Sequence, residues 1–142
     1  MSRQPPALIP ELKVADFAAS RRFYTEVAGF AVAYERPEES FAMLAQGEAW
    51  LMIEAIDGAS RTMDVGALEH PLGRGLNLQI QVDDVDALHG QFTSAGWPLF
   101  AAMEERWYRV GAEARGNRQF WVQDPDGYLL RFFQDLGLRP AG

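Results

Sequence analysis

Leu12-Lys13-Val14-Ala15-Asp16-Phe17 returns, 68 residues later (from 14 to 82), as Ile80-Gln81-Val82-Asp83-Asp84-Val85. In each copy an alternating apolar run ends at an Asp placed to cap a helix. Behind Asp16 the spacing predicts a helix over Phe17–Ala28, with Phe17, Phe23, Tyr24 and Val27 as its buried stripe and Gly29 as its stop. Behind Asp84, Val85, Leu88, Phe92 and Ala95 form an amphipathic stripe, and Gly96 ends it. The same offset pairs Phe17 with Val85 and Tyr24 with Phe92, while the two glycines fall one residue short of it. Caps, stripes and terminal glycines recurring in order identify a duplicated unit.

Working outward, Leu8–Val14 reads as the strand before the first helix. Leu12 and Val14 lie on one face, and Ile9, Glu11 and Lys13 on the other. Three strands follow that helix, about Ala31–Glu35, Phe41–Ala45 and Ala49–Glu54, with Gln46-Gly47 as the turn between the last two. The pattern is lost from Ala55 to Gly73, which reads as a connector containing Asp57-Gly58 and His70-Pro71-Leu72-Gly73. The second unit opens on Leu76–Val82, with Leu76, Leu78, Ile80 and Val82 on one face and Asn77, Gln79 and Gln81 on the other. Its later strands fall near Leu99–Met103, Arg118–Gln123 and Tyr128–Gln134, and Asp124-Pro125-Asp126-Gly127 makes the last turn. The expectation is one α+β domain over 1–142, built of tandem βαβββ modules at 8–54 and 74–135 with the connector at 55–73.

Composition narrows the function. Apolar residues make up 48% of the chain, enough for a packed core. No apolar run reaches the roughly 20 residues of a membrane helix, so no membrane partner is expected. Met1-Ser2-Arg3-Gln4-Pro5-Pro6 lacks the apolar segment of a secretion signal, which points to the cytoplasm. The absence of cysteine removes disulfides and thiolate chemistry. A net charge of −7 argues against nucleic acid and steers cations toward the chain. No nucleophile elbow, phosphate loop or dinucleotide fingerprint occurs. Glu38-Glu39 and Glu104-Glu105 are sequence neighbours that a strand would send to opposite faces, so neither is an acid–base pair. Ser20 has no His in pattern with it, and His70 and His89 read as ordinary imidazoles.

The doubled strand–helix–three-strand unit resembles the vicinal oxygen chelate superfamily, which includes glyoxalase I, extradiol dioxygenases, fosfomycin-resistance enzymes and bleomycin resistance proteins. The residues that carry the resemblance are Leu12–Asp16 with Ser20, Phe23-Tyr24 and Ala28-Gly29-Phe30. In the second half they are Ile80–Val85 and Phe120-Trp121-Val122-Gln123-Asp124-Pro125-Asp126-Gly127-Tyr128. The resemblance spans nearly the whole chain. It implies a curved, open mixed sheet with helices on the convex side and a site on the concave face. Enzymes of the family hold a divalent metal there on His, Glu or Gln. The positions implied for those ligands are occupied here by Ile9, Leu51 or Met52, Asn77 and Arg131. An aliphatic side chain is a poor ligand, and a guanidinium repels a cation. Neither a metal nor a cofactor is therefore expected, and no catalytic residue is assigned.

The alternative is a glyoxalase- or dioxygenase-like enzyme with displaced ligands, using Glu11 and Glu54. Two carboxylates beside Arg131, however, read as an ion-pair network. Without a metal the concave face becomes a binding surface. Strand parity proposes Trp50, Asn77, Gln79, Trp121 and Arg131 as its lining, with Trp107 and Tyr108 from an irregular stretch between strands. Flat aromatics with amides and a charge suit a large polar ligand. Lost ligands together with these aromatics resemble the bleomycin resistance branch. That implies a homodimer sequestering a bleomycin-like cationic small molecule in grooves shared by two subunits.

Overall fold

The computed structural model describes residues 4–57 and 65–142. The chain forms two compact units. One takes in the described residues up to Leu72 together with Pro125–Gly127, and the other Gly73–Asp124 and Tyr128–Gly142. Each holds one open, four-stranded mixed sheet and one main helix, an α+β architecture. Gly58 of the Asp57-Gly58 loop, residues 59–64 of the connector and residues 1–3 lie outside the described residues. No helix among the described residues is long and apolar enough to cross a membrane.

In the first unit the strands are β1 (Glu11–Val14), β2 (Ala31–Arg36), β3 (Phe41–Gln46) and β4 (Ala49–Ala55), in the order β1-β4-β3-β2. β1 runs parallel to β4, and the other pairs are antiparallel. The second unit repeats this with β5 (Asn77–Gln81), β6 (Ala101–Val110), β7 (Glu113–Gln123) and β8 (Leu129–Pro140), in the order β5-β8-β7-β6. Two modules with one topology are what duplication predicts.

The helices form for the reasons read from sequence. The Asp16 carboxylate accepts from the Ala19 amide at 3.0 Å and caps α1 (Phe17–Arg22). Asp84 does the same to Ala87, at 3.0 Å, for α2 (Val85–Ser94). Replacing Asp84 with Ala leaves first-turn amides without that acceptor and is expected to cost about 1 kcal/mol in chemical denaturation. A loss within error would show that solvent caps the helix equally well.

The helices differ in one respect. Beyond α1 the chain makes a π-helical turn, Phe23–Val27, in which the Ala28 amide reaches back to the Phe23 carbonyl at 3.0 Å. A π turn is one residue inserted into an α-helix. Asp16 to Gly29 is one residue longer than Asp84 to Gly96. The slip in the sequence repeat is therefore this inserted residue. It brings Phe23 and Tyr24 into the core together, edge to face at 5.0 Å.

Alternation decides which sheet face is covered. Leu12, Val14, Leu51 and Ile53 are buried in the first unit, with Ala42 and Leu44 from β3. In the second unit Phe92 of α2 meets Phe120 and Phe132 at 5.5 and 5.8 Å. Bidentate ion pairs tie each helix to its own sheet, Arg21 to Glu35 and Arg118 to Asp86.

Several expectations shift. β1 begins at Glu11 rather than Leu8, because Pro10 has no amide to give the ladder and Leu8 stands in solvent. Leu76 lies outside β5 and is 53% exposed, so alternation continued one residue past its strand. Ala95 is the exposed cap residue of α2 rather than part of its buried stripe. The largest difference concerns β6, β7 and β8, which run to 10, 11 and 12 residues. Trp107 and Tyr108 thus lie within β6 and not in an irregular stretch, and β8 runs beyond 135 to Pro140. In β6 and β8 the added residues carry charge on both faces, and in β7 they put Gly116 in the apolar row, which hid the alternation.

Candidate functional site

The open face of the second sheet carries a cleft of about 490 Å³. Its walls come from successive rows of the ladder. Gln79 of β5 pairs with Arg131 of β8, and Arg131 with Trp121 of β7. Gln81, Phe133 and Gln119 form the next row, and Asp135 and Asn117 the one after. Tyr108 and Val110 of β6 and Arg115 of β7 close the far end. Strand period places all these side chains on the face opposite Phe120, Val122, Leu130 and Phe132, which fill the core.

The Arg131 guanidinium lies over the Trp121 ring, 4.8 Å from its centroid. One of its terminal nitrogens donates to Gln79 Oε1. Its Nε–H is buried and has no acceptor among the described residues, and no carboxylate among them pairs with the side chain. Beside it, Gln119 is 1% exposed and donates through Nε2 to Glu104 at 3.1 Å and to the Tyr108 hydroxyl at 2.9 Å. Gln119 Oε1 is buried with no donor among the described residues.

The other charges of the cleft are spent on each other. Arg115 grips Asp135 through two hydrogen bonds of 2.9 Å. Those bonds, and then the Gly137 amide at 3.2 Å, hold the Asp135 carboxyl below the usual aspartate range. A depressed carboxyl stabilises the fold above its unfolded pKa and loses that contribution as pH falls through the folded one. In Arg115→Met the Asp135 titration is expected to move up toward ordinary aspartate, read by carbon-detected NMR. An unchanged midpoint would mean that Arg115 is not the cause.

The structure sorts the seven residues proposed from sequence. Gln79, Tyr108 and Arg131 line the cleft, and Trp121 supports Arg131. Asn77 is exposed one row beyond, beside Leu129. Trp107 stands on the opposite face of β6 from Tyr108. It packs on Gly116, where an added Cβ would sit 2.7 Å from the indole, and beneath the Arg139 guanidinium at 3.8 Å. Trp107 therefore takes no part in the cleft. Trp50 belongs to the first unit, where with Gln4, Pro6 and Glu48 it borders a separate pocket of about 590 Å³. Arg115, Asn117, Asp135 and Val110 were missed because their strands were read too short. For Arg115 and Asn117, the alternation of Arg115, Asn117, Gln119 and Trp121 against Ala114, Gly116, Phe120 and Val122 is the signal that could have found them.

The positions that the resemblance assigns to metal ligands do not fit a divalent cation. Of Leu51 and Met52, Leu51 is buried in the core, while Met52 shares a ladder row with Glu11. In the first unit Ile9 and the Met52 thioether offer no hard donor, and in the second the Asn77 amide and the Arg131 cation are a poor match for a hard ion. Glu11 and Glu54 do form an ion-pair network, but its cation is Lys13, which reaches Glu11 at 3.3 Å and makes a short contact with Glu54. The displaced-ligand arrangement thus has an ammonium between its two carboxylates. Burial opposes the Lys13 charge, yet the hydrogen bonds to Glu54 and Glu11 raise its pKa above the ordinary lysine value.

The family model described as the Glyoxalase/Bleomycin resistance protein/Dioxygenase superfamily matches residues 9–132. The chain is 29% identical over 136 residues to a bleomycin resistance protein of Geobacillus stearothermophilus, covering 90% of this chain and 96% of that one. A bleomycin resistance protein of Staphylococcus aureus matches with the same identity and coverage. Among solved structures, TioX from Micromonospora sp. ML1 superposes with a TM-score of 0.68 at 21% identity, over 91% of this chain and 98% of that one. At that identity the likeness is one of fold. A repeat that builds two sheets of one topology, and a match running through both of them, establish that the chain belongs to the glyoxalase/bleomycin resistance protein/dioxygenase superfamily.

Proposed function

We propose that this protein binds and sequesters a polar small molecule without transforming it, in the manner of the bleomycin resistance proteins, and does so as a homodimer. The observation that carries this reading is Arg131. At a position where a metal-dependent relative needs a carboxylate, this chain has a fixed cation held by Trp121 and Gln79. A guanidinium does not deprotonate in the working pH range, so it neither ligates a metal nor takes a proton from a substrate. Lys13 between Glu11 and Glu54 supports the same reading.

A bleomycin-like cationic antibiotic is the ligand to test first. The named relatives support it, as does the charge of −7, which raises the local concentration of cations. Trp50 beside Glu48 supports it too, since an indole face and a carboxylate together suit a desolvated cation.

Calorimetry with bleomycin at high micromolar concentration, alongside tryptophan fluorescence, tests the proposal. Saturable heat and quenching are expected, with one mass corresponding to two chains in light scattering. Neither heat nor quenching would remove bleomycin as the ligand. Stoichiometric metal in the purified protein, lost together with a measured activity on Glu11→Ala, would overturn the non-catalytic reading.

A further inference from the structure

We infer that the cleft of the second unit is an anchoring site for a planar ligand bearing a carboxylate or a pair of neighbouring oxygens, and that Arg131 is its anchor. The inference rests on the reading of this cleft as a binding surface, but not on the identity of any antibiotic.

Three observations converge. The first is charge. Arg115 and Asp135 neutralise each other, which leaves Arg131 as the uncompensated charge among the residues lining the cleft. The Glu104 carboxylate stands beyond this lining, where it accepts from Gln119, so the positive charge offered to a ligand is confined to the Arg131 guanidinium. The second is hydrogen bonding. A guanidinium has five N–H groups in a flat fork that matches two oxygens side by side. One terminal nitrogen is committed to Gln79, and the buried Nε–H has no acceptor among the described residues. That Nε–H is screened from solvent, so the terminal N–H groups that Gln79 does not hold are the ones a ligand oxygen meets, in a charge-assisted pair.

The third observation is rigidity. Trp121 stacks on one side of the guanidinium, and Gln79 fixes its rotation. The fork is thus oriented before a ligand arrives, so little side-chain freedom remains to be lost on binding. Phe133 and Tyr108, from β8 and β6, supply flat walls for the rest of the ligand.

The site differs in chemistry from the Trp50 and Glu48 pocket, which suits cations.

The test uses the full chain and two probes of one shape, 2-naphthoate and the neutral 2-naphthamide, followed by proton–nitrogen NMR. The Arg131 Nε–H signal is assigned by its disappearance in Arg131→Lys. On titration with naphthoate it is expected to move downfield and saturate in the millimolar range. Naphthamide is expected to bind at least about ten-fold more weakly, the difference made by one charge-assisted hydrogen bond. Arg131→Gln is expected to lose the naphthoate response, Arg131→Lys to weaken it through loss of the fork, and Arg22→Gln, at an exposed cation of α1 in the first unit, to leave it unchanged. No movement of the Arg131 signal, equal binding of the two probes, or full naphthoate binding by Arg131→Gln would each overturn the inference. Bleomycin titration reads the proposed function separately, so either reading can fail while the other stands.

Discussion

Gly127→Ala is expected to destabilise the protein by about 3–5 kcal/mol, and to lower its midpoint of thermal unfolding by ~10 °C or more. Gly127 has φ +93°, a region that side chains rarely adopt. A Cβ built there would stand 2.6 Å from the Pro71 Cα, and backbone cannot step aside as a flexible side chain can. Strain and overlap act at the same atom. Gly47→Ala separates the two effects. Gly47 also has positive φ, at +60°, but no atom lies within 4 Å of its added Cβ. It is expected to lose only about 1 kcal/mol, the backbone contribution alone. Thermal unfolding followed by circular dichroism checks both variants. Equal losses at the two positions would show that the Pro71 contact carries no weight.

Lys13→Met should have the next largest effect. Glu54 is only 3% exposed, and Lys13 is the ammonium that meets it. Removing one member of a buried pair costs about 3 kcal/mol, because the remaining charge stays in a poorly solvating site. Removing both costs much less, so Lys13→Met combined with Glu54→Met is expected to recover most of the loss. A double variant no better than the single one would mean that the pair is not the unit that matters. The pH dependence follows from the raised lysine pKa. Such a group contributes fully below its unfolded pKa of about 10.4, and that contribution fades as pH rises through the higher folded value. The gap between wild type and Lys13→Met should therefore stay constant around neutrality and narrow only in strong alkali.

Much of this fold is legible in the chain because its signals are local. Asp16 and Asp84 act within three residues, the helical stripes within four, and Asp124-Pro125-Asp126-Gly127 within five. The repeat extended that local information to the topology, and its slip of one residue marked the π turn. The candidate site was less legible, for two physical reasons. Strand length on a sheet's outer reaches is set by pairing with the neighbouring strand, and β6 and β8 carry charge on both faces there. Once β6 was read as ending at Met103, the side taken by Trp107 and Tyr108 could not be assigned, and the structure puts them on opposite faces. Ion partners are the second reason. Lys13 and Glu54 lie 41 residues apart, and Arg115 and Asp135 20 apart. Sequence showed the carboxylates but not which cation each would meet.

The register shift in β6, between Ala101 and Glu104, has a bearing on solubility. β6 is the outermost strand of its sheet, and a long outermost strand offers unpaired backbone groups to any other chain. Here the bulge breaks that row near its start, and Glu104, Glu105, Arg106 and Arg109 place charges along what remains. β2, the outer strand of the other sheet, has the same defence, with a shift between Val32 and Tyr34 and with Glu35 and Arg36. At the opposite borders, β1 and β5 are only 4 and 5 residues long. Each sheet is thus poorly suited to seed aggregation through its borders, even at high protein concentration, while its open face stays available to a ligand.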